Sequence, residues 1–210
     1  MRLIVTRPAG QEAELVERLL ALGHEVYHVP LIRIEPLSDE PIDVSGYDWI
    51  VVTSPNGARE LLRRAVGPLP RIAAIGRATA DAVGHADLVA PVSTQEGLVE
   101  AMPRAPGRVL VAVAEDARGY LADALRADTV PLYRTLPLVP EQPPDGDLCL
   151  LASASAARSF GALATGIGAV SIGPETTRAA REAGVDVVAE ALTHDLDGLV
   201  AAVVVAVGSS

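Results

Sequence analysis

The feature that most constrains this sequence is an ordered series of matches between its two halves, at an offset of about 100 residues. The strand-like segment Asp48–Thr53 (DWIVVT) is matched by Asp147–Ala152 (DLCLLA), and Arg71–Gly76 (RIAAIG) by Ala169–Gly173 (AVSIG). The tetrapeptide EGLV returns as DGLV. Isolated similarity between α/β segments is common, but a series in constant order predicts an internal duplication.

Each half alternates apolar, strand-like runs with segments of helical periodicity. Strands are predicted at 2–6, 25–29, 48–53, 71–76, 87–90, 108–112, 147–152, 169–173 and 186–189, and helices at 11–22, 58–65, 79–83, 94–102 and 118–125. Near-continuous apolar strands separated by helices are typical of parallel sheets covered on both faces. Half of the residues are hydrophobic but only 3% are aromatic, so the core must consist of Ala, Val, Leu and Ile.

Two proline-framed segments interrupt this alternation, VPLIRIEPL at 29–37 and VPLYRTLPL at 130–138. Proline cannot donate to a strand ladder and is confined to strand ends and edges. Each segment is therefore predicted to be a short extended connector, and the two are predicted to pair as a two-stranded ladder. In that layout one lobe is formed by residues 1–34 and 137–210 and the other by 35–136. The alternative is two sequential lobes divided near 103–106.

The charge balance restricts the partners of the chain. Seventeen basic residues, all arginine, stand against 27 acidic ones, for a net charge of −10. This argues against nucleic acid or an anionic membrane surface as partner, although local donors can hold a small anion. With no signal-peptide pattern and no apolar run near the ~20 residues of a membrane span, a cytoplasmic protein is expected. The single cysteine, Cys149, lies in an apolar run and is predicted to be buried.

Candidate ligand contacts lie in the loops after the strands, because open parallel sheets bind ligands outside the carboxyl ends of their strands. Each loop leads into a helix, whose free N–H groups suit an anion. Glycines in these loops allow close approach to a ligand, and the threonine three residues later caps the helix or touches the ligand. The candidates are Thr53, Ser54, Gly76, Thr79, Ser153, Ser155, Gly173 and Thr176.

Sequence motifs of other enzyme classes are absent. No phosphate-binding GxxxxGK[ST] loop, GxGxxG fingerprint or GxSxG nucleophile motif occurs. The four histidines, His24, His28, His85 and His194, lack metal-ligand spacing and are interpreted as surface or structural residues.

Taken together, the segments resemble the uroporphyrinogen-III synthase family. The resemblance extends over nearly the whole chain, through VTRP, VPLIRIEPL, DWIVVTSPNGARELL, AAIGRATADAV, QEGLVEAM, VPLYRT, SIGPETTRAA and LDGLV. Each piece alone is weak, but their order and spacing are specific. The resemblance implies an α/β fold of two flavodoxin-like parallel-sheet lobes joined by a two-stranded β-ladder, with the substrate in the cleft between them.

The resemblance also implies a reaction. The family cyclises the linear tetrapyrrole hydroxymethylbilane to uroporphyrinogen III in heme biosynthesis, inverting ring D and losing water, with no metal or cofactor. A lyase acting as a monomer on this small-molecule substrate is expected. The eight substrate carboxylates call for local donors, for which Arg7, Arg77 and Arg118 are the candidates by position. Tyr133, whose counterpart in the first repeat is Ile32, is the candidate acid near the departing hydroxyl.

The sequence departs from the family pattern in two places. The run at 152–155 is ASAS, where a Thr-Ser-Pro-Ser-like run is usual, and the loop at 114–116 lacks the usual glycine. Two other interpretations stay open. One is a non-catalytic tetrapyrrole-binding or regulatory protein of the same fold, and the other is a sequential flavodoxin-like protein with a flavin or phosphate site.

Overall fold

The computed structural model describes residues 1–208 and contains thirteen strands and eight helices within that range. The strands are β1 (Arg2–Val5), β2 (Glu25–His28), β3 (Ile32–Pro36), β4 (Ile42–Asp43), β5 (Trp49–Val52), β6 (Ala65–Val66), β7 (Arg71–Ala74), β8 (Leu88–Val89), β9 (Val109–Ala114), β10 (Asp128–Pro137), β11 (Leu148–Leu151), β12 (Ala169–Ser171) and β13 (Val187–Glu190). The helices are α1 (Ala13–Ala21), α2 (Pro55–Arg64), α3 (Arg77–Val83), α4 (Gln95–Ala101), α5 (Tyr120–Leu125), α6 (Ala154–Gly161), α7 (Pro174–Glu182) and α8 (Leu196–Gly208). Over the same residues, no helix combines the length and the apolar character needed to cross a membrane.

The chain divides into two compact units. The first combines Met1–Arg33 with the residues from Thr135 onward, and the second is Ile34–Arg134. The chain therefore passes from one unit to the other within β3 and again within β10. The lobe boundaries at 34/35 and 136/137, and a ladder that joins the lobes, stay predictions from the sequence.

The first unit is built on a five-stranded sheet in the order β13-β12-β11-β1-β2. All neighbouring strands in it are parallel, with Ile4 opposite Cys149 in the centre. Numbered along the chain within this unit, the order is 2-1-3-4-5, which is that of flavodoxin-like sheets. The α/β class with parallel sheets, predicted from the apolar strands, is confirmed.

Helices cover both faces of this first sheet. Leu3 and Leu150 face one side, where they pack with α1 and α8. Ile4, Cys149 and Leu151 face the other side, against α6 and α7. Cys149 is fully buried, as predicted, and its burial raises the pKa of the thiol well above its usual value.

The second unit contains a sheet in the order β8-β7-β5-β9-β10, with β3 beyond β10, and a separate small pair of β4 with β6. Strand for strand, β8, β7, β5, β9 and β10 correspond to β13, β12, β11, β1 and β2. Two sheets of the same order, each with strands from both halves of the chain, are what the duplication predicts. The parallel pairing of β5 with β9 joins residues on both sides of 103–106, which the alternative of sequential lobes does not allow.

The second proline-framed segment differs from its prediction as a short connector. It belongs to the ten-residue strand β10, whose first half pairs in parallel with β9 as far as Tyr133 opposite Ala114. The register shifts between Pro131 and Tyr133, and a bulge of this kind accommodates a residue that has no N–H to donate. Because β10 lies between β9 and β3, it is an interior strand of the sheet.

Candidate functional site

The predicted site residues follow strands at the carboxyl edges of the two sheets. In each sheet the order of strands reverses at one point, between β1 and β11 in the first unit and between β9 and β5 in the second, and such points form ligand crevices. In the first unit Arg7, Ser153 and Gly173 lie in loops after strands, while Ser155 and Thr176 lie in the first turns of α6 and α7. In the second unit Thr53, Ser54, Gly76 and Arg118 lie in such loops, while Arg77 and Thr79 lie in the first turn of α3.

The second unit brings Tyr133 and Ser54 together. Their hydroxyl oxygens lie 2.8 Å apart, and either can be the donor. The position of Tyr133 in β10 is fixed by its backbone, whose carbonyl oxygen accepts the N–H of Glu115 at 2.8 Å. Its side chain is only 6% exposed. Tyr133 thus lies at the bulge of β10, and its hydroxyl reaches Ser54 beside the point where the strand order reverses between β9 and β5.

The environment of Tyr133 keeps its proton in place. Burial raises the pKa of the phenol above its usual value of about 10, and the negative charge of Asp116 acts in the same direction. The hydrogen bond to Ser54 acts in the opposite direction but does not reverse the shift. At neutral pH Tyr133 is therefore protonated and can donate a hydrogen bond or a proton.

Ser54 is held by the start of α2. Its hydroxyl oxygen accepts the N–H of Gly57 at 2.9 Å, which makes Ser54 the N-cap of the helix, with Pro55 at the first helical position. The helix was predicted to begin at Ala58 but begins at Pro55, because proline is favoured at this first position. A serine that accepts a helix N–H still has a proton to donate and a second lone pair, so Ser54 can either donate to Tyr133 or accept from it.

The glycines of these loops are crowded by neighbours within their own unit. A Cβ on Gly76 would lie 2.8 Å from the hydroxyl oxygen of Ser93, and a Cβ on Gly173 would lie 2.8 Å from the Cδ2 of His194. Glycine was expected here to admit a ligand; the structure gives a second reason, which is close packing against the following loop. This contact also brings His194 to the carboxyl edge of the first sheet.

The threonines and the remaining serines differ in burial and role. Thr53 and Ser155 are half-buried, and the hydroxyl oxygen of Ser155 accepts from Nη2 of Arg158 at 3.4 Å. Thr79 and Thr176 are 3% and 5% exposed, respectively, so their side chains face the interior of their units. Ser153 caps α6, with its hydroxyl oxygen 3.2 Å from the N–H of Ala156, in the same way that Ser54 caps α2. Cap formation by the paired serines thus recurs in both repeats, whereas the tyrosine partner does not.

The candidate arginines lie nearer the surface. Arg77 has a side chain that is 80% exposed and lies 3.8 Å from Asp81, and Arg118 is exposed in the loop two residues before α5. Arg7 is partly buried, and its carbonyl oxygen lies 2.8 Å from the Nε2 of His28. Because a carbonyl only accepts, Nε2 carries the proton in this contact, and His28 supports the Arg7 loop.

A polar chain in the first unit was missed by the sequence analysis. The buried hydroxyl of Ser171, at the end of β12, lies 2.5 Å from that of Thr177, which in turn donates to Glu190 at the end of β13. The corresponding positions of the first repeat are apolar: Ala74, Ala80 and Val89. Comparison of the two repeats for polar residues present in only one of them would have found this chain.

Within residues 1–208, no group of three or more His, Cys, Asp or Glu side chains is arranged to hold a metal ion. The hydroxyls, guanidinium groups and backbone N–H groups at the two carboxyl edges can donate hydrogen bonds to an anionic organic ligand, although carboxylates such as Asp116 and Glu190 lie at the same edges.

Known proteins resemble this chain over most of its length. The sequence profile of the uroporphyrinogen-III synthase HemD family matches residues 13–201. A uroporphyrinogen-III synthase of Synechococcus elongatus is 27% identical over an alignment of 248 residues, which covers 96% of this chain and 93% of that protein. A mutant uroporphyrinogen III synthase from the extremely thermophilic bacterium Thermus thermophilus has the same fold, with a TM-score of 0.65, 17% identity and full coverage of both chains. The chain therefore belongs to the uroporphyrinogen-III synthase family.

Proposed function

We propose that this protein is an enzyme that closes the linear tetrapyrrole hydroxymethylbilane to uroporphyrinogen III, with inversion of ring D and loss of water. Membership of the family supports the reaction, and the loss of water makes the enzyme a lyase. The hydrogen bond between Tyr133 and Ser54, at the carboxyl edge of the second sheet, is the observation that supports a particular position for the reaction.

Tyr133 is proposed as the donor to the departing hydroxyl. When the carbon–oxygen bond breaks, the phenol proton leaves with the hydroxyl as water, Tyr133 becomes a phenolate, and the substrate becomes a reactive, protonated azafulvene cation. Ser54 supports this step as a donor: when its hydroxyl donates to the phenol oxygen, the single phenol proton is available to the departing hydroxyl, and the same bond stabilises the phenolate afterwards. Its cap bond to Gly57 can persist in both states, since that bond uses a separate lone pair.

Orientation is the second requirement. Unguided closure would give the uninverted isomer, so the enzyme must hold the chain for bond formation at the substituted carbon of ring D. In the resulting spiro intermediate the bond from that carbon to the methylene bridge of ring C breaks, and the freed methylene bonds to the other α carbon of ring D. Positioning of reacting groups can lower a barrier by several kcal/mol, on the order of 7–11 kcal/mol in well-oriented cases. The proton released when the ring recovers its aromaticity restores the Tyr133 phenol, so protons balance over the cycle.

Local donors are proposed to bind the substrate carboxylates. Neither part of the chain is basic, because residues 35–136 hold 10 arginines against 14 acids and the remainder 7 against 13. Exposed guanidinium groups at Arg77 and Arg118, the partly buried Arg7, and the N–H groups at the starts of α2 and α6 are the donors available at the carboxyl edges. Thr53, Ser153, Gly76 and Gly173 in the loops, and Ser155 in the first turn of α6, are proposed as further contacts, while the buried Thr79 and Thr176 shape the starts of α3 and α7.

The isomer of the product tests the proposal. The protein is added to a reaction in which hydroxymethylbilane is generated enzymatically, and the oxidised porphyrins are separated by chromatography. We expect the type III isomer to predominate and to increase with enzyme concentration. Type I alone, at the rate of spontaneous closure, would overturn the enzymatic proposal, and tetrapyrrole binding under the same conditions would then support a non-catalytic binding protein.

A further inference from the structure

A cavity of about 260 Å³ lies at the amino edge of the second sheet, opposite to the edge that carries Ser54. It opens beside Arg71, the first residue of β7, and beside the loop between α3 and β8. Its volume falls slightly below the ~300–1,000 Å³ of typical ligand pockets, so it fits a small molecule.

The cationic wall of the cavity is a guanidinium placed over an indole. The Cζ of Arg71 lies 4.6 Å from the centre of the Trp49 ring, and Trp49 is 4% exposed. A cation over an aromatic face is attracted by the ring, and this contact leaves its N–H groups available as donors. Among residues 1–208 no carboxylate is paired with Arg71.

A second stacked arginine in the same unit shows what such a group binds. The Cζ of Arg108 lies at the same 4.6 Å from the ring centre of Tyr47, and its Nη2 donates to Asp128 at 3.0 Å. Arg71 and Arg108 both lie at the amino edge on the two sides of β5, Arg71 as the first residue of β7 and Arg108 directly before β9. Arg71 therefore lies over an aromatic ring as Arg108 does, but it lacks a carboxylate partner such as Asp128.

The rest of the lining is largely apolar and suits the hydrocarbon part of a ligand whose carboxylate binds Arg71. Leu69, Ile72 and Val83 contribute hydrocarbon, and Leu69 is 46% exposed. At the rim, His85 lies 3.5 Å from Asp87, whose carboxylate is already committed to the N–H of Ile72 at 2.8 Å. The exposed imidazole of His85 adds a second polar group to the rim.

The arginine and the histidine of the lining occur in one repeat alone. In the first unit the position equivalent to Arg71 is Gly168, and the turn Gly184–Asp186 is one residue shorter than Gly84–Asp87 and contains no histidine. We propose that this cavity is a second binding site, which takes a small carboxylate with a compact apolar body, bound by Arg71 through its carboxylate and by Leu69, Ile72 and Val83 through its hydrocarbon.

The single tryptophan of the chain reports on this site directly. Trp49 fluorescence, excited at a wavelength selective for indole, is followed while the whole protein is titrated with cyclohexanecarboxylate at fixed ionic strength. We expect a saturable change with a dissociation constant on the order of 1 mM. The neutral cyclohexanecarboxamide is expected to bind at least about tenfold more weakly, because a hydrogen bond to a charged group is stronger than a neutral one.

Three variants separate the proposed site from general effects. Arg71→Gln is expected to weaken binding about tenfold or more, Arg71→Lys to have an intermediate effect, and Arg108→Gln, the stacked arginine with its own carboxylate, to leave the affinity at the wild-type value. Circular dichroism checks that each variant is folded, and Arg71→Lys keeps the test valid if the glutamine variant is not. No saturable change in the wild type, equal binding of the amide, or wild-type affinity in Arg71→Gln would each overturn the proposal.

Discussion

The hydroxyl oxygen of Ser54 lies 2.8 Å from that of Tyr133 and 2.9 Å from the backbone nitrogen of Gly57, so one serine links a helix N-terminus to a buried phenol. In the other repeat Ser153 keeps the cap, but the position of Tyr133 is occupied by Ile32. The serine cap is therefore present in both repeats, whereas the tyrosine hydroxyl is present in one. This asymmetry indicates that the Tyr133 hydroxyl is not needed to build the fold.

Replacement of Tyr133 by phenylalanine separates the two roles of its side chain. Tyr133→Phe keeps the ring that packs with Leu132 and Ile50 in the core but removes the proton donor. We expect turnover to fall about 100-fold, the lower end of the usual effect of a positioned acid, with the melting temperature nearly unchanged. Tyr47→Phe is the matched control, since Tyr47 bonds to Asp128 at the opposite edge; comparable losses in both variants would contradict a specific role for Tyr133.

Loss of the Ser54 hydroxyl has a structural and a chemical consequence. Ser54→Ala removes the cap of α2, which costs about 1 kcal/mol in the free energy of unfolding, and it also removes the partner of Tyr133. Thr94→Ala removes a cap of the same geometry, in which the Thr94 hydroxyl accepts the N–H of Gly97 at 3.0 Å, but has no phenol partner. Urea denaturation should give similar destabilisation for both variants, while the turnover assay should detect a loss beyond the cap effect only for Ser54→Ala.

Much of the fold was predictable because local patterns and long-range packing agree. The buried strands β5 and β11 lie within the predicted segments 48–53 and 147–152, since fully apolar runs of that length satisfy a sheet covered on both faces. The ends of elements were less predictable. The segment around Pro131 was interpreted as a connector because proline disfavours interior strands, but a bulge in the pairing with β9 accommodates it.

The contacts within the candidate site depend on strand order and could not be predicted from local sequence. Ser54 and Tyr133 are 79 residues apart, and only the placement of β9 between β5 and β10 brings the loop of Ser54 close to Tyr133 in β10. Likewise, a glycine followed by a helix suggests space for a ligand, whereas the structure shows Gly76 packed against Ser93. Sequence periodicity specifies which residues face a core, but it does not specify which neighbouring loop approaches a given glycine.

Asp87 is expected to make stability depend on pH in the acid range. The N–H of Ile72 donates to its carboxylate at 2.8 Å and His85 lies nearby, which together hold the pKa of Asp87 below its usual value of about 4. A native pKa below the unfolded one adds stability that is complete above the unfolded value and is lost as the pH falls through the native value. The difference in unfolding free energy between wild type and Asp87→Asn should therefore persist at pH 5 and above, and should close between about pH 4 and pH 2.

Urea denaturation at a series of pH values measures this difference. Asp81→Asn serves as the control, because Asp81 is 70% exposed and lies 3.8 Å from Arg77 on the helix surface. A difference for Asp87→Asn that stays constant down to pH 2 would show that the carboxylate charge does not contribute to the bond with Ile72.

The matched helix starts EGLV and DGLV contain a glycine for a steric reason that the structure reveals. A Cβ on Gly97 would lie 2.5 Å from the carbonyl oxygen of Val92, and a Cβ on Gly198 would overlap the carbonyl oxygen of Thr193. In both repeats the first turn of the helix thus passes against the backbone of the preceding loop. Alanine normally stabilises a helix by about 0.5–1 kcal/mol relative to glycine, so propensity and packing oppose each other here.

Packing is expected to prevail at both positions. Gly97→Ala and Gly198→Ala should each lower the free energy of unfolding by about 1–3 kcal/mol, since the atom that a new methyl group meets is backbone and cannot rotate away. At the N-cap of α5, Gly119→Ala is the comparison, where the nearest atom, the Oδ2 of Asp123, is at an ordinary 3.8 Å, and the change should stay within about 0.5 kcal/mol. Thermal and urea denaturation of the three variants decide the question, and a stabilised Gly198→Ala would mean that the loop before α8 can move aside and that helix propensity alone governs this position.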